Sequence, residues 1–145
     1  MKLDLPPDCE FHEDIRLFIH RPRGLLNDKV LERLVSILGD LEATSKEPFD
    51  RFTDTLEADA VDLNFRPILK VSLFRRLTYE GRPEVKSAML ATDSTIIQYA
   101  ELHKLMTEGS PIEFQIFQDR RKAAEWLGVP LERLEDRKAT ERVRS

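Results

Sequence analysis

Cysteine is almost absent: Cys9 is the only one in 145 residues. That excludes an intramolecular disulfide and any zinc site built on paired thiolates. Glycine is scarce as well, with five residues and no Gly-rich run behind any strand pattern, so there is no loop of the kind that cradles phosphate. No apolar run approaches the roughly 20 residues needed to cross a bilayer. Residues 1–10 are acidic, contain Pro6-Pro7 and lack the basic start and apolar stretch of a secretory signal, so the expected compartment is the cytoplasm. Neither sign of charge dominates: 23 basic against 27 acidic residues leave −4, which gives no global attraction to nucleic acid. A Gly-x-Ser-x-Gly elbow is missing. His103 lies two helical turns from Ser94 and Thr95, too far to serve either as a base. No catalytic residue is assigned, and an enzyme is not expected.

What is present is a strand-then-helix unit that recurs. Ile15, Leu17 and Ile19 alternate with Arg16, Phe18 and His20, a strand pattern, with Phe11 in the same or a preceding strand and Glu13-Asp14 as the bend. Asn27 is placed as an N-cap, followed by Val30, Leu31, Leu34, Ile37, Leu38 and Leu41 at helical spacing. A short strand lies within Phe49–Leu56, behind Pro48. The second helix starts near Asn64, because Pro67 fits only a first turn. Its apolar residues, Ile68, Leu69, Val71, Leu73, Phe74 and Leu77, cover so much of its circumference that heavy burial is expected. Val85–Thr92 reads as the third strand, and Thr95 with Gln98 as the capping box of a helix that ends at Gly109. Ile112–Phe117 is the last strand. A last helix follows from Asp119 to Leu127, with Gly128 as its left-handed stop and Trp126 turned inward. Strands alternating with helices predict an open, mostly parallel sheet of four or five strands with helices packed on it. One domain over residues 1–129 is expected, followed by a charged, mobile tail over 130–145 on which Leu131 and Leu134 make one more turn.

Several strings, taken in order, resemble the SpoIIAA-like families, relatives of the STAS (anti-sigma-factor antagonist) domains. They are Arg21-Pro22-Arg23-Gly24, Arg51-Phe52-Thr53-Asp54, Val85-Lys86-Ser87-Ala88, and Phe117 through Ala123-Ala124-Glu125-Trp126-Leu127-Gly128. The resemblance covers about Phe11 to Val129. It implies a small bacterial-type intracellular protein that works as a non-enzymatic regulatory or interaction module, binding another protein or a second copy of itself. In the STAS relatives a phosphoacceptor serine sits in an Asp-Ser motif after the strand equivalent to Arg51–Asp54. Here that stretch reads Glu57-Ala58-Asp59-Ala60-Val61-Asp62 and has no hydroxyl.

Open α/β sheets bind ligands at the carboxyl ends of their strands. Thr53, Asp54, Thr92, Asp93, Ser94, Asp119 and Arg120 are therefore the candidate ring for a small anion or a partly apolar molecule, the alternative function. Asp93 with Ser94 and Thr95 also reads as a helix cap. Tyr79, expected to be exposed beside Gly81, is a candidate partner contact together with Arg82 and Arg121. The acidic stretch from Glu57 to Asp62 reads as solvated loop and helix start. Cys9, His12 and His20 offer zinc-type donors, but Cys9 and His12 lie near the chain end and no fourth ligand is evident. No metal site and no cofactor are expected.

Overall fold

The structure, a computed structural model, describes residues 5–135. In chain order its elements are β1 (Cys9–His12), a 3-10 turn over Glu13–Ile15, β2 (Leu17–His20), β3 (Gly24–Asn27), α1 (Asp28–Thr44), β4 (Asp50–Asp54), β5 (Ala58–Asp62), α2 (Phe65–Tyr79), β6 (Val85–Leu90), α3 (Ser94–Thr107), β7 (Ile112–Phe117), α4 (Arg120–Leu127) and a second 3-10 turn over Leu131–Arg133. The main sheet has the order β1-β2-β4-β6-β7; β1 is antiparallel to β2 and the other neighbours are parallel.

The parallel strands follow one another across the sheet in a single direction. With right-handed crossovers, such an order puts every connecting helix on the same face. That is observed: α1, α2 and α3 share the face that carries Phe18, Arg51, Ser87 and Phe114, which stand in one cross-strand row. The opposite face carries Leu17, Ile19, Phe52, Ala88 and Leu90, packed under Ala123, Ala124 and Leu127 of α4 and under Leu134. Trp126 packs at the edge of this core, against Phe117.

Local capping chemistry sets most helix ends. Asn27 accepts from the Val30 N–H at 3.1 Å and Asp119 from the Arg121 N–H at 2.7 Å, and Gly128 takes the left-handed conformation at φ 73°. Asp93 caps α3, accepting from the N–H groups of Thr95 and Ile96. The helix thus begins one residue before the Thr95 of the expected capping box, because a carboxylate at Asp93 reaches both free N–H groups.

Three expectations are corrected. Ala58–Asp62 is a strand, not solvated loop: β5 pairs in parallel with β3 in a second, two-stranded sheet. The α2 helix is not heavily buried, since Phe65, Leu73, Phe74 and Leu77 point outward, Leu77 with 61% of its surface exposed. The body also extends beyond 129, because Leu134 is fully buried and Arg133 bonds Asp14. The remainder of the expected tail, 136–145, lies outside the described residues.

Candidate functional site

The helix-covered face of the sheet is not filled. A cavity of about 120 Å³ lies between it and the three helices. Its floor is Phe18, Arg51, Thr53, Ser87, Met89 and Phe114; strand alternation brings these side chains to one face. Its walls follow helical spacing: Leu31, Leu34, Val35 and Leu38 from α1, Ile68, Val71 and Arg75 from α2, and Ile96, Tyr99, Ala100 and His103 from α3. The α2 helix packs chiefly on α3 and α1 and reaches the sheet at its C-terminal end, where Tyr79 lies on Val85 and Ile112, which leaves the middle of the floor uncovered.

Charge enters this apolar space at one end. Glu42 of α1 accepts from Arg75 through both carboxylate oxygens and from Arg51 through Oε2. Burial alone would raise the Glu42 carboxyl, but the hydrogen bond and charge of Arg75 and then of Arg51 outweigh it and hold the group below its ordinary value. Two guanidinium groups share one carboxylate, so the cluster carries one net positive charge. Arg51 is held between the rings of Phe49 and Tyr79, with centroids at 4.6 and 5.1 Å. Its Nε is buried without a hydrogen-bond partner among the described residues.

The other polar groups stand along the wall and floor. His103 Nδ1 lies 2.7 Å from Ser72 Oγ. Burial, reinforced by the charge of Arg75, pushes the His103 imidazole down to about 4, so the ring that shares a hydrogen bond with the Ser72 hydroxyl is neutral. Tyr99 donates to the Leu63 carbonyl at 2.9 Å. Thr53 and Ser87 bring hydroxyls to the floor, and neither makes a hydrogen bond among the described residues.

The candidate ring at the strand ends does not form one site. Thr53 lies on the cavity face. Asp54, the next residue, lies on the other face, buried, where Oδ2 accepts from Arg21 at 2.9 Å and from Arg120 at 2.8 Å while Oδ1 holds the Leu56 N–H. Asp54 and Arg120 are thus brought together, as an ion pair. Asp93 and Asp119 are helix caps, and Thr92 and Ser94 are exposed. The physical reason is topological. Crevices at strand carboxyl ends open where the strand order reverses, and here the parallel strands never reverse.

The partner set also divides. Arg82 and Arg121 are exposed. Tyr79 is not: only 3% of its surface is accessible, because Arg51, Arg75 and Arg82 all lie against its ring. Of the zinc-type donors, Cys9 and His20 face each other across β1 and β2. His12 points to the opposite side of β1 and bonds Glu10 and Arg133. Glu42, Ser72 and Arg75 carried no site role in the sequence reading. Each is a polar residue on a helix, and only tertiary packing turns it inward.

The fold defines the chain as a small α/β domain with a mostly parallel sheet, whose parallel strands run in one order, and a cavity under three helices. It is similar to the crystal structure of an uncharacterized protein of the DUF3478 family with a SpoIIAA-like fold from Shewanella loihica PV-4. The TM-score is 0.52 and the identity 20%, over 88% of this chain and 98% of that one. The SpoIIAA-like architecture expected from the sequence is therefore shown at the level of fold. No family model and no curated protein matches the sequence. Among the described residues no helix is long and apolar enough to cross a membrane.

Proposed function

We propose that this chain is a non-enzymatic binding module whose ligand is a small molecule with an apolar body and an acidic group. The observation that carries the reading is the cavity, apolar over most of its lining and ending at a pair of arginines that share one carboxylate. A cavity of about 150 Å³ lined by Leu, Ile and Phe holds benzene, so 120 Å³ takes a body of about ring size. The unsatisfied Arg51 Nε and the single net positive charge favour an anionic group at that end. Nothing in the lining pairs a nucleophile with an exposed base and a hole for an oxyanion, which supports binding over turnover.

Native mass spectrometry of freshly purified, untagged protein reads out a resident ligand, and titration calorimetry with benzoate and with benzylamine tests the chemistry. The expected result is a dissociable adduct or benzoate binding, with benzylamine excluded and both signals lost in Ser87→Leu, which fills the floor. A bare chain that binds neither probe overturns the reading.

A second reading rests on a different surface. Phe65, Leu73, Phe74 and Leu77 on the outer side of α2, with Leu105 of α3, are exposed. A helix that is apolar on both sides is normally covered on both. This supports an interaction module that docks on another protein or on a second copy.

A further inference from the structure

We propose that Asp8, Cys9 and His20 form a binding site for a zinc ion, three protein ligands with a fourth position open to water. The site lies under α1 at the edge of the sheet, apart from the cavity, and stands or falls independently of the ligand-binding reading.

The backbone brings the donors together. Cys9 and His20 are cross-strand partners of the antiparallel β1–β2 pair. One residue further out, the Arg21 N–H donates to the Asp8 carbonyl at 2.8 Å, and the Cys9 N–H turns away to the Pro6 carbonyl. Cys9 and His20 are therefore a non-hydrogen-bonded pair, the kind whose side chains approach most closely. Asp8 adds its carboxylate from just beyond the strand end.

The spacing suits a tetrahedral ion. The three donor atoms lie within 4.8 Å of one another. Zinc at its usual bond lengths would place a nitrogen and an oxygen ligand about 3.4 Å apart, and a sulfur and an oxygen about 3.6 Å apart. His20 Nε2 lies 3.3 Å from Asp8 Oδ2 and Cys9 Sγ 3.7 Å from the other oxygen, Oδ1, so the carboxylate faces both donors and needs only to turn for one oxygen to join them on an ion. Sulfur, imidazole nitrogen and carboxylate oxygen together are a donor set for zinc and not for magnesium or calcium.

His20 is held in place by burial, with 2% of its surface accessible, and its Nε2 is turned to the Asp8 carboxylate that would share the ion. The Cys9 thiol is directed at Asp8 Oδ1, 3.7 Å away, and a cation on the sulfur replaces that proton. On binding, the Zn–S bond forms as the S–H bond breaks, and the proton leaves to water. The thiolate and the Asp8 carboxylate then balance the two charges of the ion. Arg33 bonds Asp8 Oδ2 at 2.9 Å, and its side chain is half exposed. It remains as an outer partner that steadies the carboxylate, or it swings aside.

Cobalt(II) and zinc(II) added singly to the untagged, chelator-stripped full chain test the site. The expected result is one Co²⁺ per chain with the near-ultraviolet charge-transfer band of a cobalt–thiolate bond, bleached by Zn²⁺. Cys9→Ala should abolish the band. Asp8→Asn should keep the band while weakening Zn²⁺ binding at least about 10-fold, the loss that removing even an outer partner of a metal ligand brings. Circular dichroism of both variants confirms that they fold. Absence of the band in the wild-type chain overturns the proposal. So does a Zn²⁺ affinity that Asp8→Asn and Cys9→Ala both leave unchanged.

Discussion

Ser72 Oγ and His103 Nδ1 lie 2.7 Å apart and tie α2 to α3 beside the cavity. The burial that pushes His103 down to about 4 keeps this imidazole neutral at neutral pH. The unfolded chain titrates this group near 6.5. As pH falls from about 6.5 toward 4, the unfolded state takes up a proton that the folded state refuses, so stability drops over that window and levels off below it. The loss attributable to this group is at most about 3 kcal/mol. Melting temperatures measured from pH 7 to pH 4 should fall, and the fall should be shallower in His103→Gln.

Removing the carboxylate that Arg51 and Arg75 share leaves two buried cations facing each other. Glu42→Gln should cost about 3–5 kcal/mol, read by urea unfolding. Replacing the whole cluster with apolar residues, Glu42→Leu with Arg51→Met and Arg75→Met, should recover most of that loss, because the desolvation of all three charges disappears with them.

Asp54→Ala should also cost about 3 kcal/mol, the low end for breaking a buried pair, since it leaves the buried Arg21 with only Glu10 at 3.4 Å and the Glu135 carbonyl, and frees Arg120. Asp54 faces away from the cavity, so benzoate affinity in the folded variant should match that of the wild type. A large loss of affinity at Asp54 would place the ligand at the strand ends instead.

Ser87→Leu adds apolar volume where the floor is open. It should raise stability by about 1 kcal/mol, the usual gain from cavity filling, while ligand binding disappears. Thermal unfolding and calorimetry on the same preparation check both halves.

On the outer side of α2, Phe74→Asp and Leu77→Arg change exposed positions. Stability should move by no more than about 0.5 kcal/mol. If the interaction reading holds, sedimentation velocity of the double variant should show loss of an association that the wild type makes.

The parts of the fold that were legible in the sequence are those with local causes. Asn27, Asp119 and Gly128 act on N–H and C=O groups within a turn of themselves, and the alternation in Ile112–Phe117 reports a half-buried strand directly. The β5 strand was not legible. Ala58-Asp59-Ala60-Val61-Asp62 has weak strand propensity and pairs only because β3, more than thirty residues earlier, lies beside it. Tyr79 looked exposed because the arginines that cover it include Arg51, brought from another element. The candidate ring did not come together as one site for one reason: residue types mark strand ends, but only the sheet order determines whether a crevice opens there.

The bond from Arg133 to Asp14 joins residues 119 positions apart. Closing so long a loop gains nothing until the strands between are in place. The clasp is therefore expected to form late, after the folding barrier is crossed. Arg133→Ala should leave the refolding rate near that of the wild type and appear as faster unfolding. The two ends of the described chain then act less as a foundation than as a latch that sets how long the finished molecule stays shut.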